Sequence, residues 1–121
     1  MAKYDIYYTD VAFSDKPGSK ERYAIIVDEN TAFVYTLNTI TSQYEKKSDF
    51  IKLQYFPIEF WKEAGLKKAS YIDILSPIKV PFDSLLKQAR FSGSLAVKDK
   101  RGLETFILSY DKRVTAFKSG K

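Results

Sequence analysis

The stretch Ala24-Ile25-Ile26-Val27-Asp28-Glu29-Asn30 decides how the chain is expected to fold. Its four apolar residues form a continuous run, which is typical of a strand buried on both faces. The three polar residues that follow are long enough only for a tight connection. Residues 32–37 then form a second run rich in apolar and β-branched types. The pattern therefore predicts two antiparallel strands joined by a hairpin.

Four further segments have the aromatic and β-branched composition of strands: residues 4–13, 50–53, 71–75 and 78–80. Ser76-Pro77 separates the last two, because proline cannot donate a hydrogen bond within a sheet. Residues 14–21 are polar and contain the turn signal Pro17-Gly18, so we expect a loop between the first strand and the apolar run.

Helices are predicted from end signals and periodicity. Residues 57–64 begin with Pro57, which suits a first helical turn, and stop before Gly65, a common helix end. Near the C-terminus, apolar residues recur with the spacing of an amphipathic helix: Leu103, Phe106, Ile107 and Tyr110. Ser94 is the candidate N-cap of that helix. A helical turn or two is also expected within residues 82–89.

The order of these elements predicts the fold class. No repeat, low-complexity tract or linker divides the chain, so we expect a single domain over residues 1–121. It is expected to be mainly β within the α+β class. Five or six short antiparallel strands would curl into a small β-barrel, with one short inserted helix and a C-terminal amphipathic helix. Hydrophobic residues make up 45% of the chain and aromatic residues 16%, which is enough for a core.

Composition excludes several classes of function. The chain has no cysteine and no histidine, so it has no disulfide, no cysteine-ligated metal and no histidine general base. No apolar run approaches the roughly 18 residues that cross a bilayer, and the N-terminus lacks the apolar segment of a signal peptide. We therefore expect a cytoplasmic protein with no membrane association.

The chain is basic, with 20 Lys and Arg against 15 Asp and Glu and a net charge of +5. An excess of this kind suits a polyanionic partner, and it also suits an ordinary soluble basic protein. The aspartates Asp10, Asp15, Asp73 and Asp83 are scattered without the spacing of a calcium loop or a two-metal site. No metal and no cofactor are expected.

Two places in the sequence have residues suited to phosphate chemistry. Arg22 stands just before the apolar run, where a rigid strand would hold the root of its planar guanidinium. The cluster Thr39-Ile40-Thr41-Ser42-Gln43 places hydroxyls where a strand is expected to end, and such hydroxyls bind phosphate oxygens. Both patterns also have structural explanations: arginines form surface salt bridges, and hydroxyls at strand ends cap turns.

Four stretches, in order along residues 4 to about 110, together resemble one family: residues 5–27, Ile40-Thr41-Ser42-Gln43, residues 61–72, and Gly93-Ser94-Leu95-Ala96 before the last helix. The family is that of the PemK/MazF toxins, whose opening runs from a strand through a glycine-serine-lysine-arginine loop to an apolar strand. Gly18-Ser19-Lys20 and Arg22 match that loop, and Thr41-Ser42 matches the family's threonine-serine motif.

The resemblance implies an SH3-like antiparallel barrel that forms a homodimer. The family's usual activity is cleavage of single-stranded RNA without a metal ion, leaving a cyclic phosphate. An antitoxin protein with a disordered tail usually neutralises it. By the same resemblance, Arg22 and Thr41 are the expected catalytic residues. Lys20, Ser42 and Gln43 are expected to bind RNA beside them.

Arginine and hydroxyl chemistry is compatible with this reaction. The 2′-hydroxyl of RNA attacks the phosphorus, and negative charge grows on the phosphate in the transition state. Arg22 would stabilise that charge, whereas proton transfer by it is doubtful because a guanidinium holds its proton strongly. Thr41 would donate to a non-bridging oxygen and orient the phosphate. Asp73 is the weak candidate for a general base.

Two positions depart from the family pattern. Tyr23 replaces the proline that normally follows the arginine, and Leu75 stands where some members carry a second charged residue. Two other functions therefore stay open. One is a gyrase-poisoning toxin on the same barrel, which is an inhibitor and not an enzyme. The other is an inactive family member that only binds antitoxin or RNA.

Overall fold

The predicted hairpin is present in the computed structural model, which describes residues 2–12, 17–29, 34–75, 77–81, 83 and 87–120. Its strands pair antiparallel, with Ala24 opposite Thr39 and Ile26 opposite Leu37. The connection predicted at Asp28 and Glu29 is wrong, because both residues lie in the first of these two strands, which ends at Glu29. The residues that connect the strands, 30–33, lie outside the described part of the chain. Ile25 and Ile26 have no exposed surface, so the apolar run is buried as its composition indicates.

Seven strands and three helices are described. The strands are β1 (Asp5–Ala12), β2 (Ser19–Glu29), β3 (Val34–Thr41), β4 (Tyr55–Pro57), β5 (Tyr71–Asp73), β6 (Ile78–Pro81) and β7 (Arg90–Ser94). The helices are α1 (Asp49–Lys52), α2 (Val97–Leu108) and α3 (Tyr110–Ser119), and a 3₁₀ turn covers Tyr44–Lys46. The predicted α+β class is therefore confirmed. The helical turn expected within residues 82–89 falls largely outside the described residues.

All strand pairings are antiparallel, in the order β4-β5-β3-β2-β1-β7. β5 and β6 pair with successive segments of β3, and Pro77 lies between them, which confirms the predicted division of that region. The sheet of the described residues does not close into the predicted small β-barrel. β4 and β7 end the order, and no ladder joins them in the described chain. One physical reason is that the turn ending at Gly65 contacts the β7 backbone at Ser92.

Two elements predicted from local sequence are wrong. Residues 50–53 were predicted as a strand, but the structure has α1 there, because the Ser48 side chain accepts from the Ile51 amide and caps a helical turn. Residues 57–64 were predicted as a helix. Instead Pro57 ends β4, opposite Tyr71, and the chain continues as irregular turns.

A buried carboxylate explains why the chain turns after β4. Asp99, in the first turn of α2, accepts hydrogen bonds from the backbone amides of Glu59 at 3.1 Å and Phe60 at 2.8 Å. It is only 3% exposed. These bonds use amide groups at the start of the turn and connect the segment to α2. The contact comes from a residue about forty positions later in the chain, so it leaves no local signal in residues 57–64.

The predicted C-terminal amphipathic helix is confirmed in part, because it is divided at Ser109 into α2 and α3. Leu103 is buried, and the Phe106 ring packs on Phe56 with 5.4 Å between ring centroids. The predicted N-cap Ser94 is wrong. It lies in β7 and donates to Asp5, and Ala96 precedes α2 instead.

The core forms two clusters on the sheet. The larger one contains residues from β1 to β5, α2 and the turns between: Ile6, Ile25, Ile40, Phe56, Ile58, Ala64, Leu66, Ile72, Leu95 and Leu103. The smaller one contains Tyr7, Ala24, Ile26 and Leu37. Among the described residues, no helix is long and apolar enough to cross a membrane.

Candidate functional site

The sheet opens into a groove where β2 and β3 separate. Their ladder reaches Ala24 and Thr39 at this end. Beyond that pair, the first residues of β2 hydrogen-bond with β1, while Ile40 and Thr41 at the end of β3 pair with β5. Two neighbouring strands with different partners diverge, and side chains of both reach the space between them. The resulting groove has a volume of about 930 Å³.

Residues from five parts of the chain line the groove: Tyr8, Lys20, Glu21, Arg22, Tyr23, Ile40, Thr41, Ser42, Gln43, Lys47, Gly65, Lys67, Lys68, Ser70, Arg90, Phe91 and Ser92. All five residues expected at the site from the sequence are among them: Lys20, Arg22, Thr41, Ser42 and Gln43. Among the described lining residues six are basic and one is acidic, a balance that attracts a polyanion.

Arg22 lies within β2, opposite Thr9 of β1, and is half-buried. The sequence had placed it at the end of a loop, but β2 already begins at Ser19. Its Nε atom is buried and has no hydrogen-bond partner among the described residues. A buried donor without a partner is uncommon in folded proteins, because its lost hydration is not replaced. The strand thus holds the Arg22 side chain at the groove, with its Nε atom covered by the protein.

Thr41 lies at the end of β3, and its position follows from the β2–β3 register. Ala24 is opposite Thr39, so Arg22 and Thr41, each two residues beyond that pair, lie on the same face of the sheet on either side of the opening. The Thr41 Oγ1 accepts a 3.0 Å hydrogen bond from the Gln43 amide. This bond fixes the turn after β3 and leaves the hydroxyl proton free to be donated. Ser42 and Gln43 are exposed beside it.

A third wall comes from the segment that follows the turn, including Lys67, Lys68 and Ser70. Gly65 begins this wall with φ of +82°, a backbone conformation that residues other than glycine rarely adopt. A Cβ atom there would lie 2.1 Å from the backbone oxygen of Ser92. The close approach of these two backbones therefore requires glycine and fixes the wall against β7.

The fourth side of the groove is a cluster of aromatic and charged residues. The rings of Tyr8 and Tyr23 meet edge to face with 4.9 Å between centroids. The Arg90 guanidinium lies 5.2 Å from the centre of the Tyr8 ring and 3.7 Å from the Glu21 carboxylate. Glu21, the one acidic side chain among the described lining residues, thus pairs with Arg90. Tyr23, the departure from the family's proline, has a packing role here.

Asp73 is not among the residues that line the groove. Its Oδ1 accepts from the Gln54 side chain and from the Leu75 amide, both at 3.0 Å, and the residue is 7% exposed. Burial raises the pKa of the nearby Tyr55 hydroxyl, and the Asp73 charge raises it further, while the Arg22 charge lowers it. The positive charge of Arg22 is therefore felt at Tyr55. The geometry gives Asp73 a structural role in the turn before Leu75.

The sequence identified the residues on β2 and β3 but missed Arg90, Lys67 and Lys68 on the opposite walls. Tyr8 and Arg90 reach the groove because β1 pairs with both β2 and β7, a juxtaposition that no local pattern indicates. The adjacent Lys67-Lys68 was a visible basic signal that sequence reasoning did not assign to the site. In the described part of the chain, no three carboxylates come together as a candidate metal centre.

Comparison with known proteins adds no identification. No protein-family model matches the chain, and no curated protein sequence matches it significantly. Neither comparison identifies the chain as a PemK/MazF toxin. The function proposed below is therefore argued from the groove itself.

Proposed function

We propose that the protein is an endoribonuclease that cleaves single-stranded RNA in the groove between β2 and β3, without a metal ion. The observation that carries this proposal is Arg22, a half-buried arginine of β2 in a groove that has six basic side chains among its described lining residues. A guanidinium in a positively charged cleft suits a phosphate group, which accepts several hydrogen bonds from arginine at once.

The proposed reaction uses the RNA's own 2′-hydroxyl. Its oxygen loses a proton and forms a bond to the adjacent phosphorus, and the bond from phosphorus to the 5′ oxygen breaks. The 5′ oxygen then gains a proton, so that the products are a 2′,3′-cyclic phosphate and a free 5′-hydroxyl. Negative charge increases on the non-bridging oxygens at the transition state, which is where positive charge and hydrogen-bond donors accelerate the reaction.

Arg22 and Thr41 supply different parts of that stabilisation. The Arg22 guanidinium remains protonated at neutral pH, so it provides charge and donors and no proton transfer. The Thr41 hydroxyl donates to a non-bridging oxygen while the Gln43 amide holds its Oγ1 in place. Lys20 at the start of β2, with Ser42 and Gln43, binds the neighbouring phosphates of the strand.

The family resemblance extends this proposal to the protein's partners. A PemK/MazF-type toxin would act in the cytoplasm as a homodimer, and an antitoxin protein would cover its basic groove. The six basic side chains of the groove support an acidic partner of that kind. Sedimentation of the purified protein tests the dimer directly, since a 14.0 kDa particle would contradict it.

The chemistry is tested with two matched oligonucleotides in excess EDTA, one of RNA and one with 2′-deoxyribose throughout. The proposal predicts discrete cuts in the RNA, fragments ending in cyclic phosphate, and no cuts in the deoxy strand. Cleavage of both strands would contradict attack by the 2′-hydroxyl. No cleavage of several long RNAs would contradict the enzyme and favour the gyrase-binding or inactive alternatives.

A further inference from the structure

One wall of the groove carries an exposed aromatic ring. Phe91, on β7, is 61% exposed. The described chain has seven exposed large hydrophobic side chains: Phe50, Ile51, Leu75, Phe91, Val97, Ile107 and Leu108. Of these seven, Phe91 alone belongs to the groove. Covering such a ring is worth about 1.5–3 kcal/mol, so a ligand that packed on Phe91 would gain binding free energy there.

The position of the Phe91 ring is fixed by the sheet. Its backbone pairs with Tyr7 of β1, next to an irregularity in the β1–β7 register. The two rings also meet edge to face, with 5.5 Å between centroids and an angle of 70°. Tyr7 is buried, so it anchors one side of the Phe91 ring while most of the ring stays accessible. An accessible and anchored ring costs little conformational entropy when a ligand binds to it.

Phe91 lies on the same face of the sheet as Arg22. Phe91 pairs with Tyr7, and Tyr7 pairs with Ala24, which shares its face with Arg22 two residues away. Two strand spacings across the sheet and two residues along β2 put the Phe91 and Arg22 backbones about 12 Å apart. That separation lets one short segment of a polynucleotide reach both residues.

The residues around Phe91 limit the chemical class of ligand that could bind there. An apolar peptide or a lipid chain would need further exposed apolar side chains, and no other residue of that kind lines the groove in the described chain. A ligand that has both a flat aromatic surface and negative charge complements this site, where the exposed Phe91 ring shares the groove with six basic side chains. An unpaired nucleobase with its phosphates has both features, and proteins bind single strands by stacking bases on aromatic rings.

We propose that an unpaired base of the RNA stacks on Phe91 while a nearby phosphate of the same strand lies at Arg22. This inference rests on the proposed function and defines its substrate further. A base inside a duplex is covered by its neighbours and cannot stack on the ring. Phe91 therefore makes the groove selective for single strands over duplexes of the same sequence.

The test measures binding, separately from cleavage. The probe is a single-stranded oligonucleotide with 2′-O-methyl groups throughout, which blocks the attacking hydroxyl, and with the fluorescent base 2-aminopurine at successive positions. Phe91→Ala is expected to weaken binding by roughly 5- to 150-fold, the usual effect of losing one stacked base. It should also abolish the quenching of 2-aminopurine at one position.

Matched variants make the result specific. Phe91→Tyr keeps a ring and should restore binding and quenching. Phe50→Ala removes another exposed ring, 39% exposed and outside the groove, and should bind as the wild type does. Circular dichroism and thermal unfolding of each variant separate loss of the ring from loss of the fold.

The outcomes separate this inference from the proposed function. If the wild type and Phe91→Ala bind the oligonucleotide equally while Arg22→Ala binds it weakly, stacking on Phe91 is refuted. The proposal that RNA binds in the groove at Arg22 is then retained. If the wild type binds duplex as tightly as single strand, the selectivity is also refuted. If the wild type binds no oligonucleotide, the proposed function fails and this inference fails with it.

Discussion

Replacing Asp99 with alanine is expected to lower the free energy of unfolding by about 3 kcal/mol. The Asp99 carboxylate is buried and accepts from the Glu59 and Phe60 amides at 3.1 and 2.8 Å. A hydrogen bond to a charged group contributes about 1.5–3 kcal/mol, so two give about 3–6 kcal/mol. The lower end applies because Glu59 is exposed, and water can reach its amide in the variant.

The assay is chemical and thermal unfolding of the wild type and the variant. A loss of about 3 kcal/mol corresponds to a fall in Tm of about 12 °C for a chain of this length. Asp111→Ala is the matched control, because Asp111 also lies in the first turn of a helix but is exposed. Its effect should be within about 0.5 kcal/mol. A loss below 1 kcal/mol for Asp99→Ala, or equal losses in both variants, would refute the role of the two amide bonds.

Four further predictions rest on the geometry. Gly65→Ala should lower the free energy of unfolding by about 2–5 kcal/mol, because φ is +82° and the new Cβ would lie 2.1 Å from the Ser92 backbone oxygen of β7. Gly120→Ala is the control, since the nearest contact of its Cβ is at 3.4 Å. In the same unfolding assay it should change stability by less than about 0.5 kcal/mol. Arg22→Gln should raise the pKa of the Tyr55 hydroxyl further, since the Arg22 charge lowers that pKa. NMR of ring-labelled tyrosine, with the Tyr55 signal assigned from Tyr55→Phe, measures the change. An unchanged Tyr55 titration would contradict the proximity of Arg22 and Tyr55. Because the folded-state pKa of Tyr55 lies above 10.0, the neutral hydroxyl favours the folded state, and stability should fall as pH rises above 10.0, with a smaller fall in Tyr55→Phe. Leu103→Ala should cost about 2–5 kcal/mol by leaving a cavity between α2 and the sheet, and a loss below 1 kcal/mol would contradict its place in the core.

The parts of the fold that were predictable have local causes. The strand at Ala24 and the division at Pro77 each depend on residues that are adjacent in the sequence, and both appear in the structure as predicted. The missed elements depend on distant contacts or on competing local signals. Residues 57–64 have the end signals of a helix, but Asp99 engages their amides from about forty residues away. In α1, the cap at Ser48 was a local signal that outweighed the strand-like composition of the next residues.

Closure of the sheet could not be derived from the number of strands. A barrel requires the first and last strands of the order to pair, and that depends on their lengths and on what covers their edges. Here β4 has three residues, and the turn that ends at Gly65 occupies the backbone of β7 at Ser92. Neither fact has a signature in the sequence.

The candidate site was half predictable for the same reason. Arg22 and Thr41 flank strands that the sequence already indicated, so their hydrogen-bonding chemistry could be noticed locally. Arg90 and Phe91 reach the groove only through the pairing of β7 with β1. Their contribution follows from sheet order, which a single sequence does not specify.

The most direct test of the central claim is cleavage of a long, mostly unstructured RNA in excess EDTA by three proteins. They are the wild type, Arg22→Ala and the matched control Arg101→Ala, whose arginine lies exposed on α2 outside the groove. Loss of one transition-state donor usually slows catalysis by about 10²–10³-fold. We expect that loss in Arg22→Ala and wild-type rates in Arg101→Ala. Equal cleavage by all three would contradict the assignment of the site to Arg22, and the absence of cleavage by the wild type would contradict the enzyme.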